Sequence, residues 1–400
     1  MAKIALYIPS RIYGGAERQM ALLACLAADD GHKVTLIDSK VGIVSQMLET
    51  RDDIDIVTED GRNKIEVRDS ILITQASYAF CLDSMLDIVD SDVRFWFMHQ
   101  LNLPQMYLNS KLPRFINKVY SFIFNRFYKE ELQRCSASFF FMALDLKTTV
   151  ESYYDIKFEE SFTGLLSDQK YSNELSDVDS SQYGSLCWLG RLDKSSKLFI
   201  VKKLLLDFSM FREKLSLTQF DIIGDGEAKK ELIRYSESLG ISEYVTFHGH
   251  VDFAELSAII GGSFLLFAQG TSVYEGVYSN APVVLVDFYT KCAHLNNMKY
   301  ELYADVEGHG FGDLITDRYD LKITKGDAFE ELIMKVFSNR TLIVNKQTNK
   351  LNYSISIGKM RCRALFQKAN FRKKRPKTFL LDVVFFKFRR LVLILRSYSV

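Results

Sequence analysis

The run Ser185-Leu186-Cys187-Trp188-Leu189, continued by Gly190-Arg191-Leu192-Asp193-Lys194-Ser195-Ser196-Lys197 and then by Phe199–Phe208, reads as strand, loop and helix. A short apolar run ended by glycine fits a buried strand, and the longer apolar run after the loop fits a helix. Strand, polar loop and helix together form one half of a parallel-sheet unit. The same alternation continues downstream. Phe220–Ile223 is a strand and Glu227–Leu239 a helix closed by Gly240. Val245–Phe247 is a strand, Phe253–Ile260 a short helix, Phe264–Phe267 a strand, Tyr274–Ser279 a helix and Val283–Val286 a strand. Asp327–Ser338 is an amphipathic helix.

Working upstream, Leu166–Tyr183 is rich in Ser, Asp and Asn and reads as a linker. Before it lies a second α/β series. Lys3–Pro9 is a strand, Ser10–Gly15 a glycine-bearing loop, Ala16–Ala28 a helix stopped by Asp30-Gly31, and Lys33–Ile37 a strand. Apolar runs follow at Ser70–Thr74, Arg94–Met98 and Ala137–Met142. The chain of 400 residues is longer than one hydrophobic core usually supports. The expected division is 1–165, a linker 166–183, a second domain 184–345, a helical segment 346–370 and a basic, apolar tail 371–400.

Bulk properties exclude several classes. Lysines and arginines (51) balance aspartates and glutamates (50), which argues against a dedicated nucleic-acid binder. No two of the six cysteines stand in a Cys-x-x-Cys pair, so zinc-ribbon and thioredoxin-like sites are not expected. The cysteines read as small buried hydrophobes in a reducing compartment. Ile4–Ile8 is too short for a signal-peptide core, and no apolar run reaches about twenty residues, so a cytoplasmic location is expected.

Four stretches carry candidate chemistry. In Tyr13-Gly14-Gly15-Ala16-Glu17, two glycines let backbone approach a ligand, and the helix behind them offers free N–H groups to an anion. A plain strand-to-helix turn explains the same residues equally well. In Gly190–Lys197, Arg191 and Lys197 share one loop at a strand's carboxyl end, where open α/β sheets bind ligands. Two cations there suit a diphosphate, and a solvated basic loop is the alternative. Gly224-Asp225-Gly226 lacks the third glycine of a dinucleotide turn and holds an acid between its glycines, so it reads as structural. In Gly270-Thr271-Ser272, backbone N–H groups could cradle phosphate oxygens, and Glu275 could accept from a ribose diol or simply compensate a helix dipole.

In order and spacing these pieces resemble the retaining family 4 glycosyltransferases, of the GT-B fold. The matching strings are Gly14-Gly15-Ala16-Glu17, Gly190-Arg191-Leu192-Asp193 with Ser196-Lys197, Gly224-Asp225-Gly226, Val245–Val251, and Glu275 with Pro282-Val283-Val284. The resemblance implies two Rossmann-like domains facing across a cleft, the first on the acceptor side, with 346–370 crossing back. It implies that Arg191 and Lys197 hold the donor diphosphate and that backbone at His250 and Val251 meets the base. Gly270, Thr271 and Ser272 would contact phosphate or sugar, and Glu275 the ribose. Gly14 and Gly15 would face the diphosphate from the first domain, and His99 would stand near the transferred sugar. No cofactor and no metal are implied. The Asp-x-Asp triplets at Asp53–Asp55, Asp90–Asp92 and Asp177–Asp179 lie in polar stretches and read as chance.

One departure stands out. The family carries two glutamates with seven residues between them; Glu275 matches the second, and the first falls on Phe267. The implied function is transfer of a sugar from a nucleotide-diphosphate sugar to a glycan or lipid-linked acceptor in bacterial surface polysaccharide synthesis (lipopolysaccharide, O-antigen or capsule). Phe267 keeps a second reading open, a catalytically silent subunit of a glycan-assembly complex. A nucleotide-sugar epimerase of the same fold would need more acid–base groups than these.

Two segments suggest contact with an anionic membrane surface. The tail clusters Arg372, Lys373, Lys374, Arg375 and Lys377 ahead of the apolar Phe379–Leu395, and Lys111–Lys129 interleaves Phe115, Val119, Phe122, Ile123 and Phe127 with Arg114, Lys118 and Arg126. Packing against the first domain is the alternative for both.

Overall fold

The computed structural model describes residues 1–11, 13–60, 63–99, 102–103, 125–159, 163–167, 184–194, 197–289, 298–306, 314–315, 326–367, 375–380 and 382–384. The chain divides into two units, Met1–Asp168 with Ile355–Val400, and Gln169–Ser354. The C-terminal helical segment is therefore split, its residues up to Ser354 grouping with the second unit and those from Ile355 with the first.

The first unit contains β1 (Lys3–Tyr7), β2 (Lys33–Ser39), β3 (Ile54–Glu59), β4 (Ile65–Arg68), β5 (Ile71–Gln75), β6 (Leu86–Val89), β7 (Asp92–Phe97) and β8 (Phe139–Phe141). Its main sheet has the order β3-β2-β1-β5-β7-β8 and every pairing is parallel. β4 and β6 form a separate parallel ribbon. A strand buried on both faces must be apolar throughout, and Ile4–Tyr7 of β1 and Val93–Phe97 of β7 (apart from Arg94) meet that demand. Neighbouring aromatic side chains lock β7 to β8: Phe95 lies 5.3 Å from Phe139 and Phe97 4.7 Å from Phe141, centroid to centroid. Helix α1 (Gly15–Asp29) buries Met20, Leu23, Ala24 and Ala27, a stripe at helical spacing. Helices α2 (Ile43–Met47) and α3 (Leu144–Tyr154) also belong to this unit.

The second unit contains β9 (Ser185–Leu189), β10 (Gln219–Ile223), β11 (Val245–Gly249), β12 (Leu265–Ala268), β13 (Val283–Leu285), β14 (Phe288–Tyr289), β15 (Glu301–Leu302) and β16 (Leu314–Ile315). Its main sheet has the order β11-β10-β9-β12-β13-β15, parallel except for the last pair. The helices are α4 (Lys197–Phe211), α5 (Lys229–Ser238), α6 (Phe253–Gly261) and α7 (Ser272–Tyr278). Asp252 caps α6 by accepting from the Glu255 amide at 2.9 Å. The core holds Trp188, Phe220, Phe267, Tyr300 and Phe329.

The helix predicted over Asp327–Ser338 is the first part of a longer one, α8 (Phe329–Ala364), which carries a kink at Asn339. Strand β3 has no counterpart in the sequence reading. Its burial is irregular, with Ile54 and Glu59 inside but Ile56 42% exposed, so neither an apolar run nor strict alternation marks it.

Candidate functional site

In an open parallel sheet, ligands bind beyond the carboxyl ends of strands where the winding direction reverses. In the second unit that point lies between β9 and β12, because the chain leaves β9 towards β10 on one side and later returns to β12 on the other. Leu189 and Ala268 are paired at this edge, so the loops after them start side by side. The first loop carries Arg191 and leads to Lys197, and the second is Gln269-Gly270-Thr271.

Lys197 is the first residue of α4, and its ammonium reaches across to the Gln269 side-chain oxygen. The same ammonium stands 5.8 Å from the centroid of the Trp188 ring. Gln269 is only 5% exposed, and its amide nitrogen donates to the Asp287 carbonyl at 2.5 Å. Desolvation pulls the Lys197 pKa down to about 7, helped by Arg191 and opposed by Asp193. Arg191 itself is exposed. Gly270 takes φ of +58°, and Thr271, Ser272 and Glu275 are half-buried beside it and on α7. Ser195 and Ser196 lie outside the described residues.

The Gly224-Asp225-Gly226 turn holds this loop in place. The amides of Gly190 and Leu192 donate to the carbonyls of Ile223 and Asp225 at 3.1 and 2.9 Å, and Ala228 donates to Leu192 at 2.9 Å. A Cβ on Gly224 (φ +132°) would stand 2.1 Å from the Gly190 oxygen, and one on Gly226 (φ +152°) 2.5 Å from the Leu192 oxygen. Only glycine permits both the backbone angle and the approach. The turn is structural, as its sequence suggested. Gly224 also donates to the Gly249 carbonyl at 2.8 Å, which ties in the end of β11. His250 is exposed and Val251 half-buried just beyond it. β10 separates β11 from β9, so this pair follows a strand two positions from the Lys197 loop.

The other candidates belong to the first unit. Gly14 and Gly15 begin α1 after β1. Glu17 turns back over them: its carboxylate accepts from the Ser10 hydroxyl at 2.8 Å, and a Cβ on Gly14 would lie 2.6 Å from it. An anion at this helix end would meet that carboxylate. His99 is exposed two residues past β7, and its amide and that of Met98 both donate to the Asn102 side chain, at 2.7 and 2.6 Å. β5 separates β7 from β1 in the sheet. Two of the Asp-x-Asp triplets are engaged otherwise: Asp53 pairs with Arg51 at 2.7 Å and Asp92 with Arg94 at 2.9 Å, while Asp177–Asp179 lies outside the described residues.

Phe267 needs its own account. It lies inside β12, fully buried, against Tyr300 and Phe329 at 5.7 and 6.3 Å. The connection from β12 to α7 is three residues long, so counting back from Glu275 runs past the loop and into the strand. The polar residue at the strand end is Gln269, which the sequence reading passed over. Its signal was available: it is the first polar side chain after the apolar run Phe264–Ala268.

No protein-family model matches the sequence, and no curated protein does either. Solved structures do. A glycosyltransferase involved in lipopolysaccharide biosynthesis, WaaG, superposes with a TM-score of 0.51 at 13% identity, covering 91% of this chain and 100% of its own. Sucrose-phosphate synthase from Thermosynechococcus elongatus gives 0.54 at 10% identity, covering 100% of both chains. Anabaena Alr3699/HepE, in complex with UDP and glucose, gives 0.50 at 12% identity over 92% and 98%. The fold is GT-B. At these identities the likeness establishes the fold, with its two Rossmann-like units, and the chemistry is argued from the residues.

Proposed function

We propose that this GT-B chain is a glycosyltransferase that binds a nucleotide-diphosphate sugar in its second unit and passes the sugar to a glycan or lipid-linked acceptor. The observation that carries the reading is the placement of Lys197 and Arg191 at the switch point between β9 and β12. A diphosphate gathers negative charge as it leaves, and preorganised cations there stabilise the departing group. Arg191 offers a fork of donors and Lys197 a point charge. In the same reading, backbone at His250 and Val251 meets the base and Gly270, Thr271 and Ser272 contact phosphate or sugar. Glu275 binds the ribose, Gly14 and Gly15 face the diphosphate, and His99 serves the transferred sugar. Transfer is retaining, of the hexosyl type, and uses no bound metal. The setting is bacterial surface polysaccharide synthesis at the cytoplasmic face of the membrane. The deciding measurement is a donor-hydrolysis screen over nucleotide sugars. Turnover of one donor, lost in both Arg191→Ala and Glu275→Ala, supports the enzyme.

A silent GT-B subunit is the second reading, favoured by Phe267 in the core and the short β12–α7 connection. Donor binding without turnover, in the presence of an acceptor extract, would establish it instead.

The membrane proposal rests on the basic and apolar character of the tail, since no helix among the described residues is long and apolar enough to cross a membrane. Residues 111–124, 371–374, 381 and 385–400 of the two basic segments lie outside the described residues. Sedimentation with anionic vesicles of the full chain and of one ending at Val384 tests it; equal binding would remove the tail from the proposal.

A further inference from the structure

We propose that Lys229 and Asp225 read the base of the nucleotide: the ammonium donates to a ring carbonyl and the carboxylate accepts from the ring N–H beside it, which selects uracil or guanine over cytosine or adenine. The proposal rests on the nucleotide-sugar reading of the second unit and deepens it by naming the class of base.

Three neighbouring strand ends meet here. The loop after β9 bears Arg191, the turn after β10 bears Asp225, and β11 ends at Gly249, just before His250 and Val251. Backbone bonds hold them together: the Leu192 amide donates to the Asp225 carbonyl at 2.9 Å, and the Gly224 amide donates to the Gly249 carbonyl at 2.8 Å. Lys229 is the first residue of α5, and its amide donates to the Gly226 carbonyl at 3.1 Å, so its helix starts from the same turn. Its side chain reaches over the end of β11. A Cβ on Gly249 would stand 3.2 Å from the Lys229 ammonium nitrogen and 4.0 Å from Asp225 Oδ2, so a cation and an anion face one bare stretch of backbone.

Both groups have bonding capacity to spare. Asp225 Oδ1 accepts from the Gly226 amide at 2.7 Å, which holds the carboxylate and leaves Oδ2 beside Gly249. Among the described residues, no hydrogen bond or ion pair engages Oδ2 or the Lys229 ammonium, and the two do not pair with each other. Lys229 is half-buried and Asp225 exposed, so a ligand can reach both.

An ammonium can only donate, and an ionised carboxylate can only accept. Uracil and guanine present a carbonyl oxygen next to a ring N–H, an acceptor beside a donor. Cytosine and adenine present an amino group next to a bare ring nitrogen, the reverse order, and both protein charges would then face groups of the wrong kind. Leaving such groups unpaired is what makes a hydrogen-bonding site selective. A nucleotide with its base beside Gly249 has the Arg191 loop, across β10, for its diphosphate.

The test is calorimetric binding to the full chain with UDP, CDP, GDP, ADP and inorganic pyrophosphate as probes. UDP and CDP differ only at this edge of the ring. The expected wild-type result is a preference for UDP over CDP, or for GDP over ADP, of about tenfold or more. Lys229→Met should bring that ratio close to one and leave pyrophosphate affinity unchanged. Asp225→Asn keeps an acceptor for the Gly226 amide and puts a donor in place of Oδ2, so it should lower the same ratio and spare pyrophosphate. With Lys229→Glu added to it, the order of donor and acceptor is reversed, and the preference should turn to CDP or ADP. An unchanged ratio in both Lys229→Met and Asp225→Asn, or a wild type that binds all four nucleotides alike, would overturn the base reading and leave the nucleotide site standing. Equal losses for every nucleotide and for pyrophosphate in Lys229→Met would also overturn it, by placing the lysine on phosphate. Failure of the wild type to bind any of the four nucleotides would overturn the nucleotide reading itself, and the base reading with it.

Discussion

Gln269 and Phe267 stand two residues apart and have opposite characters. Phe267 fills the core among Phe220, Tyr300 and Phe329, whereas Gln269 carries the polar contact at the strand end. Restoring the family's glutamate by Phe267→Glu should therefore cost about 3–5 kcal/mol and bring no sugar contact, because the charge would be buried among rings. Chemical denaturation checks the cost, and a stable, folded Phe267→Glu would refute this placement. Gln347 shows the same logic in the scaffold. It is fully buried, accepts from the Val283 amide at 3.1 Å and donates to the Ala281 carbonyl at 2.6 Å. Gln347→Leu leaves two backbone groups unpaired at the start of β13 and should lose about 2–4 kcal/mol in the same measurement. Asp382 adds a pH dependence. Its carboxyl is 1% exposed, takes the Tyr128 hydroxyl at 2.5 Å, and burial pushes its pKa up to about 7. The folded chain then holds a proton that the unfolded chain gives up above the ordinary carboxyl range. Its stabilising effect is full below about pH 4 and lost as pH rises through about 7. Asp382→Asn should flatten the fall in melting temperature between pH 5 and 8 and stabilise the fold at pH 8 by about 1–3 kcal/mol.

Among the elements, α8 and its contacts are the least expected from composition. Gly358 sits in the helix where a Cβ would stand 2.0 Å from the Leu165 carbonyl oxygen. The backbone after β8 is held there by other bonds as well: Leu166 exchanges two hydrogen bonds with the Gln19 side chain at 2.9 and 2.8 Å, and Thr163 accepts from the Trp96 indole at 2.9 Å. Neither partner can move far, so Gly358→Ala should destabilise the first unit by about 1–3 kcal/mol, despite alanine's better helix propensity. A rise in melting temperature would show that the segment yields instead. Arg94, 2% exposed in the middle of β7, explains a charged residue in an otherwise apolar strand. Its guanidinium pairs with Asp92 and donates to the carbonyls of Ala364 and Gln367, which completes the end of α8.

At the scale of the whole molecule, the tail is part of the first unit before it is anything else. Phe379 donates its amide to the Phe80 carbonyl at 2.7 Å and stacks on Phe127 at 4.9 Å, and Val383 packs on Cys81. Arg375 pairs with Asp83 at 2.7 Å, and the Lys377 amide donates to Glu131 at 2.8 Å. Packing, the alternative reading of the sequence, holds for residues 375–380 and 382–384, and Leu380 and Val384 remain 74% and 55% exposed beside it. A chain ending at Asn370, which lacks these contacts, should therefore melt at a lower temperature than one ending at Val384. Any vesicle-binding comparison belongs with the Val384 end, since the shorter chain would expose Phe80, Tyr128 and Cys81.

The alternation of strands and helices, the two α/β units and the structural role of the Gly224-Asp225-Gly226 turn were legible in the sequence, because apolar period and glycine placement act locally along the chain. The loop carrying Arg191 and Lys197 was legible for the same reason, as a basic stretch just after a strand. Which side chain Lys197 meets was not. That depends on β12 lying next to β9, although 75 residues separate Leu189 from Leu265, and strand order is decided by packing across the sheet. The same holds for Phe267, whose rank in a spaced motif says nothing about whether the loop before α7 is long enough to bring it out of the core. Local pattern determined the elements of this protein, and tertiary structure decided which of their ends meet.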